Sequence, residues 1–325
     1  MSLSIDYPSW LRPEIIPGVP FLRWYGLMYV FAFATAFALF MYQVRKGELQ
    51  LAEGRTRPYE DDEIISFFTW GIFGLLIGAR IFATLVYDTS GIYWHKPWLI
   101  FWPWDENGVW TGLQGMSYHG GFIGGFAGML FWCLRYRHSF FAWCDTMGAS
   151  IPLGYTFGRI GNFLNGELYG RVTTSPVGMV FPTAPRFSLS ESWVRATVEK
   201  IGMHVPDGAL FVNLPRHPSQ LYEACFEGLV LWAVIWFVFR TRKPFNGFIT
   251  GVYTIGYGLV RFVIEYFREP DADIGYRITA SGNTAPTYLN ESLLNISTGQ
   301  ILCMAMILAG TAIIAVGFWR KRHGK

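Results

Sequence analysis

The sequence predicts an all-α polytopic membrane protein with seven transmembrane helices, its N-terminus outside and its C-terminus cytoplasmic. Three observations carry that prediction. Of 325 residues only 15% are charged and 52% are apolar, whereas an ordinary soluble domain carries roughly a quarter charged residues. Aromatic residues reach 18%, with 28 Phe, 17 Tyr and 14 Trp. Apolar runs near the ~20 residues that a helix needs to cross a bilayer recur at 20–42, 64–87, 119–134, 142–166, 218–239, 247–267 and 298–319.

Orientation follows from Lys and Arg, which concentrate in short cytoplasmic loops. Segment 43–63 holds Arg45, Lys46, Arg55 and Arg57, and 135–138 holds Arg135 and Arg137. Segment 240–243 holds Arg240, Arg242 and Lys243, and the tail holds Arg320, Lys321, Arg322 and Lys325. With seven crossings all four lie on one side, while 88–118 contains only Lys96. The chain, 1–325, reads as a single integral membrane domain with two outside additions. Segment 88–118 includes GIYWHKPWLIFWPWDEN, whose Trp and Tyr favour the membrane–water boundary, and is expected to be an interfacial arm. Segment 172–216 is polar, contains prolines and is long enough for a small extracytoplasmic head. Residues 269–296 form a further polar excursion.

The net charge of +3 sits in loops between spans, so no nucleic-acid partner is expected. Cys133, Cys144, Cys225 and Cys303 lie in or beside apolar runs without CxxC spacing, as small buried hydrophobes do. Near the N-terminus Asp6, Pro8, Pro13 and Pro17 occupy the place of a basic n-region and apolar core. A cleavable signal peptide is therefore not expected, and the first span targets the chain.

A charge within a span costs at least ~2.5–3.5 kcal/mol and marks a functional candidate. Arg80, His119, Arg159, Glu167, Glu223, Glu227, Arg261 and Glu265 are such groups. Placed on their spans, most of them fall in the half of the bilayer away from the cytoplasm, as do Tyr25 and His217. A shared chamber in the outer half accounts for that common depth. Tyr257, Arg261, Glu265 and Arg268 are spaced 4, 4 and 3, which stacks them on one helix face. An Arg261–Glu265 pair stabilises a helix, yet it leaves one arginine over, and such a stripe suits an anion. Arg159 lies in GRIGNFLNGELYGR, where four glycines accompany Asn162, Asn165 and Glu167. Glycines at that density let the backbone unwind and approach a ligand closely, or let helices pack. His119, in GMSYHGG, has a reference pKa near neutrality. His217, before Pro218 in RHPSQLYE, reads best as an anchor at a span entrance.

Arginine offers a planar fork matched to phosphate oxygens, so several of them in the outer leaflet point to capture of a phospholipid headgroup. No DxxD-like pair stands in a span, HxxxH is absent and no GxSxG surrounds Ser117. Metal-dependent phosphoryl transfer and serine hydrolysis are therefore disfavoured, and no metal is expected. Displacement on the lipid remains, with arginines stabilising a departing phosphate. An anion transporter would spread polar groups through both bilayer halves and show an internal repeat; the sequence shows neither.

GRIGNFLNGELYG (158–170) closely resembles the signature of the bacterial phosphatidylglycerol–prolipoprotein diacylglyceryl transferases. The resemblance continues through WYGLMY (24–29), GAR (78–80), GMSYHGG (115–121), RHPSQLYE (216–223), GYGLVRFVIEYFREPD (256–271) and TGQIL (298–302). Segment 172–214 departs from it, and 273–296 is longer than usual. The resemblance implies a transferase of the bacterial cytoplasmic (inner) membrane with its active site toward the outer leaflet. It moves the diacylglyceryl group of phosphatidylglycerol to the thiol of a lipobox cysteine in a lipoprotein precursor, leaving a thioether and releasing glycerol phosphate. The substrates are then the lipid and the precursor's signal peptide, with no cofactor.

It also places importance on Tyr25, His119, Arg159, Asn162, Glu167, Gly170, Arg261 and Glu265. Arg159 and Arg261 are expected to hold the phosphate. Asn162 and Glu167 would bind glycerol hydroxyls or fix Arg159, Tyr25 would line the pocket, and Glu265 would orient Arg261. Tyr257, Gly170 and Arg80 are counted among the substrate contacts. A thiol with a reference pKa of about 8.5 needs a base or a positive field. His119 is the candidate base, or it orients the headgroup while the arginines lower the thiol pKa.

Overall fold

The computed structural model of the chain describes residues 4–16, 18, 22–51, 54–104, 108, 115–270, 275–280 and 286–324. The expected arm at 105–107 and 109–114, and parts of the excursion at 271–274 and 281–285, lie outside the described residues. The chain forms two compact units, Met41–Trp143 and Met1–Phe40 with Cys144–Lys325.

Helices occupy each stretch expected to be a span. They are α1 (Trp24–Arg45), α2 (Asp61–Phe82, continued by a π-helical turn Ala83–Tyr87), α4 (Tyr118–Arg135) and α5 (Phe140–Leu164). After a short α3 (Ile92–His95) and a short polar α6 (Ser192–Ile201) come α7 (Ser219–Phe239), α8 (Phe248–Ile264) and α9 (Thr298–Arg322). Trp24–Arg45, Asp61–Tyr87, Ser219–Phe239 and Thr298–Arg322 are long and apolar enough to cross a membrane, and Phe248–Ile264 is a shorter apolar helix. Glycines dilute the hydropathy of α4, as Asp145, Arg159 and Asn162 do in α5. These helices make the chain a multi-pass membrane protein.

In the Met41–Trp143 unit, α2 starts with a capping box in which Glu60 and Glu63 satisfy each other's backbone donors. Asp61, Asp62 and Glu63 follow in its first turn, where negative charge complements the helix dipole. Ser117 caps α4 by accepting from Gly120 N at 3.1 Å. The two helices run against each other through glycine. A Cβ on Gly124 would meet the carbonyl oxygen of Gly74 and lie 2.8 Å from Gly78 Cα, and Gly78, Gly120 and Gly128 are comparably tight. Small residues allow this approach where lipid supplies no hydrophobic drive between helices. Arg80 is buried and donates to the backbone carbonyls of Ile100, Leu99 and Gly115. Trp94, Trp98 and Trp102 stay exposed.

In the other unit, three two-stranded ladders frame the expected head. β1 (Ile5–Asp6) pairs in parallel with β2 (Met179–Val180), β3 (Phe187–Ser188) pairs antiparallel with β4 (Phe211–Val212), and β5 (Tyr276–Ile278) pairs with β6 (Ile296–Ser297). Segment 172–216 thus carries two strand pairings and α6. Val194, Val212 and Leu214 form a small core there, with Phe187 and Trp193 packed against them. Asp145 of α5 receives Gly247 N and Thr250 N at 2.9 and 2.8 Å, capping the start of α8. Helix α7 is π-helical over Glu223–Val230. Thr156 Oγ1 of α5 inserts there, donating to Ala224 O at 3.2 Å beside Gly228, and an inserted side chain opens a helical ladder in this way.

Gly124→Ala is expected to destabilise the α2–α4 pair by ~1–3 kcal/mol through overpacking, seen as a lower thermal midpoint in detergent. Gly26→Ala, whose added Cβ has nothing within 4 Å, serves as the neutral control.

Candidate functional site

Three helices bring their charged side chains to one buried place. On α5, Tyr155, Arg159 and Asn162 recur at intervals of four and three and share a face. On α7, Glu223 and Glu227 lie in the π-helical stretch, both wholly buried. On α8 and just past its end stand Tyr257, Arg261, Glu265 and Arg268.

Glu223 is the meeting point. Its Oε2 lies 2.9 Å from Arg159 Nε and 3.0 Å from Arg261 Nη1, and its Oε1 lies 3.8 Å from Arg268 Nε. Arg261 also reaches Glu227 Oε1 at 3.5 Å and Glu265 Oε2 at 3.1 Å. Tyr155 Oη accepts from Arg159 Nε at 2.6 Å and donates to Glu227. Tyr257 packs edge-on against Tyr155, ring centroids 5.9 Å apart. Ser297, the N-cap of α9, donates to Glu265 Oε1 at 3.0 Å. Two cations repel at this distance. Each guanidinium–carboxylate contact near 4 Å, however, contributes about 4 kcal/mol at an effective dielectric of about 20. The carboxylates therefore outweigh that repulsion and offset desolvation.

The expectation of a surplus arginine is corrected here, because α7 supplies two further carboxylates. What stays open is narrower. Arg159 bonds through Nε and, at 3.3 Å, through Nη1 to Asn162 Oδ1. Its Nη2 makes no hydrogen bond with a described residue, and 17% of the side chain is accessible. Asn162 Nδ2 donates onward to Glu167 Oε1 at 3.0 Å, and Glu167 is exposed.

The expectation that 158–170 unwinds is also corrected. The helix runs regularly through Gly158 and Gly161 to Leu164, with Gly161 against Met28 and the Tyr25 ring. Only beyond it does the chain turn left-handed, at Gly166 and Leu168. Gly170 has no room for a side chain. Its N–H donates to His217 O at 2.8 Å, and a Cβ there would strike Phe267 O. Burial, with the Arg171 charge beside it, pushes His217 down to about 4. Its ring is then neutral at physiological pH and bonds Tyr222 Oη at 3.2 Å, in keeping with an anchor.

Tyr25 belongs to the same unit as Arg159, and its hydroxyl meets Tyr29 Oη at 2.8 Å. His119 and Arg80 belong to the Met41–Trp143 unit. There His119 Nδ1 meets Tyr87 Oη at 2.9 Å. Arg80, expected at the substrate, donates to the backbone carbonyls of Ile100, Leu99 and Gly115 and lies over the Tyr93 ring. A hollow of about 430 Å³ in the other unit is lined by Trp10, Leu11, Arg12, Glu14, Ile15 and Trp24 and does not include the arginine cluster. Glu223 and Glu227 were functional candidates by their charge without an assigned role, and Tyr155 and Ser297 were not among the expected site residues. The signal for the first two was available in two acids four apart inside an apolar run, since an unpaired one would be prohibitive there.

Fold and cluster together define a multi-pass helical membrane protein organised around an internal arginine–glutamate network. The chain belongs to the prolipoprotein diacylglyceryl transferase family, whose profile matches residues 15–316. It is 56% identical to the phosphatidylglycerol–prolipoprotein diacylglyceryl transferase of Treponema pallidum (strain Nichols), over 98% of this chain and 97% of that one. The enzyme of that name from Treponema denticola is likewise 56% identical, over 100% and 98% of the two chains. That of Borreliella burgdorferi (strain ZS7) is 39% identical, over 96% and 93%.

Glu223→Leu leaves the arginines without their shared carboxylate. It is expected to destabilise the protein by ~3–5 kcal/mol, as breaking a buried pair does, and thermal unfolding in detergent measures the loss.

Proposed function

We propose that this protein transfers the diacylglyceryl group of phosphatidylglycerol to the lipobox cysteine of lipoprotein precursors. The observation that carries the reading is the meeting of Arg159 and Arg261 on one buried carboxylate oxygen, with one Arg159 nitrogen left open. That arrangement holds two guanidinium groups in place before any substrate arrives, and a phosphodiester supplies the missing acceptor.

The cysteine sulfur attacks the glycerol carbon that bears the phosphate oxygen. A C–S thioether bond forms, the C–O bond breaks, and its electron pair leaves on the phosphate as glycerol phosphate. The thiol proton passes to a base. Charge grows on the leaving phosphate, and preorganised donors stabilise such charge most in a site poor in water. Arg159 and Arg261 have that role, and Glu265, fixed by Ser297, orients Arg261. Asn162 and Glu167 hold Arg159, and the exposed Glu167 carboxylate is available to a glycerol hydroxyl. Tyr25 and Tyr257 line the site. His119, whose Nδ1 meets the Tyr87 hydroxyl at 2.9 Å, is the proposed base. No cofactor enters, since the phosphate ester carries its own leaving group.

In this reading all seven long helices cross the bacterial inner membrane, N-terminus outside, with the active site toward the outer leaflet. Segment 88–118 lies along the interface as an arm, braced by Arg80, and 172–216 forms a head on the outer side. The signal peptide of the precursor enters from the bilayer that also supplies the lipid.

Purified protein, phosphatidylglycerol vesicles and a lipobox peptide should yield a peptide heavier by one diacylglyceryl group; no gain would refute the activity. Arg261→Lys should lower the rate ~100-fold or more, as loss of a transition-state donor does, and a rate near wild type would remove Arg261 from phosphate stabilisation. Single cysteines introduced into 172–216 should react with a membrane-impermeant thiol reagent on intact cells, and those in 43–63 should not. The reverse pattern would invert the topology.

A further inference from the structure

The turn that follows α5 is held by its main chain to an unusual degree. It leaves the helix through Gly166 at φ 64° and Leu168 at φ 56°, a conformation that a leucine adopts only under external support. Tyr7 Oη donates to Phe163 O and Leu164 O at 2.9 and 3.1 Å. Thr183 Oγ1 donates to Gly166 O, Ser219 Oγ to Leu168 O at 3.1 Å, and Arg216 Nη1 to Gly170 O at 3.3 Å. The carbonyl of Glu167 is taken by Gln220 Nε2 at 2.6 Å. Gln220 is wholly buried and among the described residues donates to the Glu167 carbonyl, not to either arginine.

We infer that Gln220, with Ser219 beside it, is a positioning residue for Arg159. The inference rests on the proposed role of Arg159 in holding the lipid phosphate. Gln220 fixes the main chain of Glu167, whose carboxylate receives Asn162 Nδ2, and Asn162 Oδ1 receives Arg159 Nη1. Arg159 Nε is pinned separately by Glu223 and Tyr155. A planar guanidinium held at Nε alone can still roll, and the Nη1 bond sets its plane. That plane decides where the open Nη2 points, and a fork engages phosphate oxygens only when the two are coplanar. Hydrogen bonds are directional, so a shift in the Glu167 backbone passes along the series to Arg159. The PSQ stretch that opens α7 thus steers a side chain on α5, while Glu223 on the same helix anchors it.

The test uses full-length protein in phosphatidylglycerol vesicles with a lipobox peptide. Gln220→Met keeps the length of the side chain and removes the donor, and Ser219→Ala removes a single bond. Gln220→Met is expected to reduce kcat/KM for phosphatidylglycerol on the order of 10- to 100-fold, as small misplacements of binding groups do. Ser219→Ala should give a smaller loss, and neither should change KM for the peptide. A merely structural role would leave the next readout unmoved. If Gln220 acts through Asn162, then Gln220→Met combined with Asn162→Ala should lose no more than the worse single variant. Multiplicative losses would overturn the inference, as would wild-type kcat/KM in both Gln220→Met and Ser219→Ala. Should Gln220→Met fail to fold, Ser219→Ala with Asn162→Ala gives the same comparison. Full activity in Arg159→Lys would instead overturn the phosphate role of Arg159, an outcome distinct from these.

Discussion

The carboxylate of Glu223 is the constraint on which the site depends. Arginines from two helices and a third from beyond the end of α8 converge on it, and none could be buried alone without a penalty of several kcal/mol. Its position on α7 decides how α5 and α8 approach, because both must deliver a guanidinium to the same oxygen. The π-helical stretch that carries it follows from that packing, with Thr156 inserted at Ala224 and Gly228. Wide helical turns of this kind are frequent at functional sites, and here the widening and the charge sit on the same residues.

Around that point the network separates into a fixed side and an open side. Arg261 is surrounded by Glu223, Glu227 and Glu265, the last held by Ser297 at the cap of α9. Arg159 shares Glu223 and Tyr155, then continues to Asn162 and the exposed Glu167. The pair thus combines a guanidinium whose orientation is over-determined with one that retains capacity for a further acceptor. A further acceptor entering such a place meets an arginine nitrogen whose orientation is already set.

Much of this was legible in the sequence. The apolar runs located the helices because crossing a bilayer demands length and composition that little else imitates. Arg159 and Arg261 stood out because charge inside such runs is costly. Glu223 and Glu227 were visible as charges but not as partners, since nothing in a single span tells which neighbour it faces. The three small ladders left no periodic signal, being two or three residues long. The glycines of 158–170 suggested unwinding, whereas α5 continues to Leu164 because Gly161 serves close packing against Met28. The bonds around 163–170 join residues as distant as Tyr7 and Gln220, a relation that local pattern cannot express. Arg80 illustrates the same limit, because its partners are main-chain carbonyls, which have no residue type to read.

The glycine contact between α2 and α4 has a consequence for how that unit endures its surroundings. Its cohesion comes from dispersion between closely approaching backbones, with the Phe67–Trp132 and Trp70–Phe131 ring contacts and the Trp132–Ser66 hydrogen bond beside them, and owes little to the exclusion of water. Helices joined in this manner keep their attraction in a solvent as oily as themselves. Variation in the fatty acids of the surrounding bilayer would then alter what the pair is immersed in without altering what binds it.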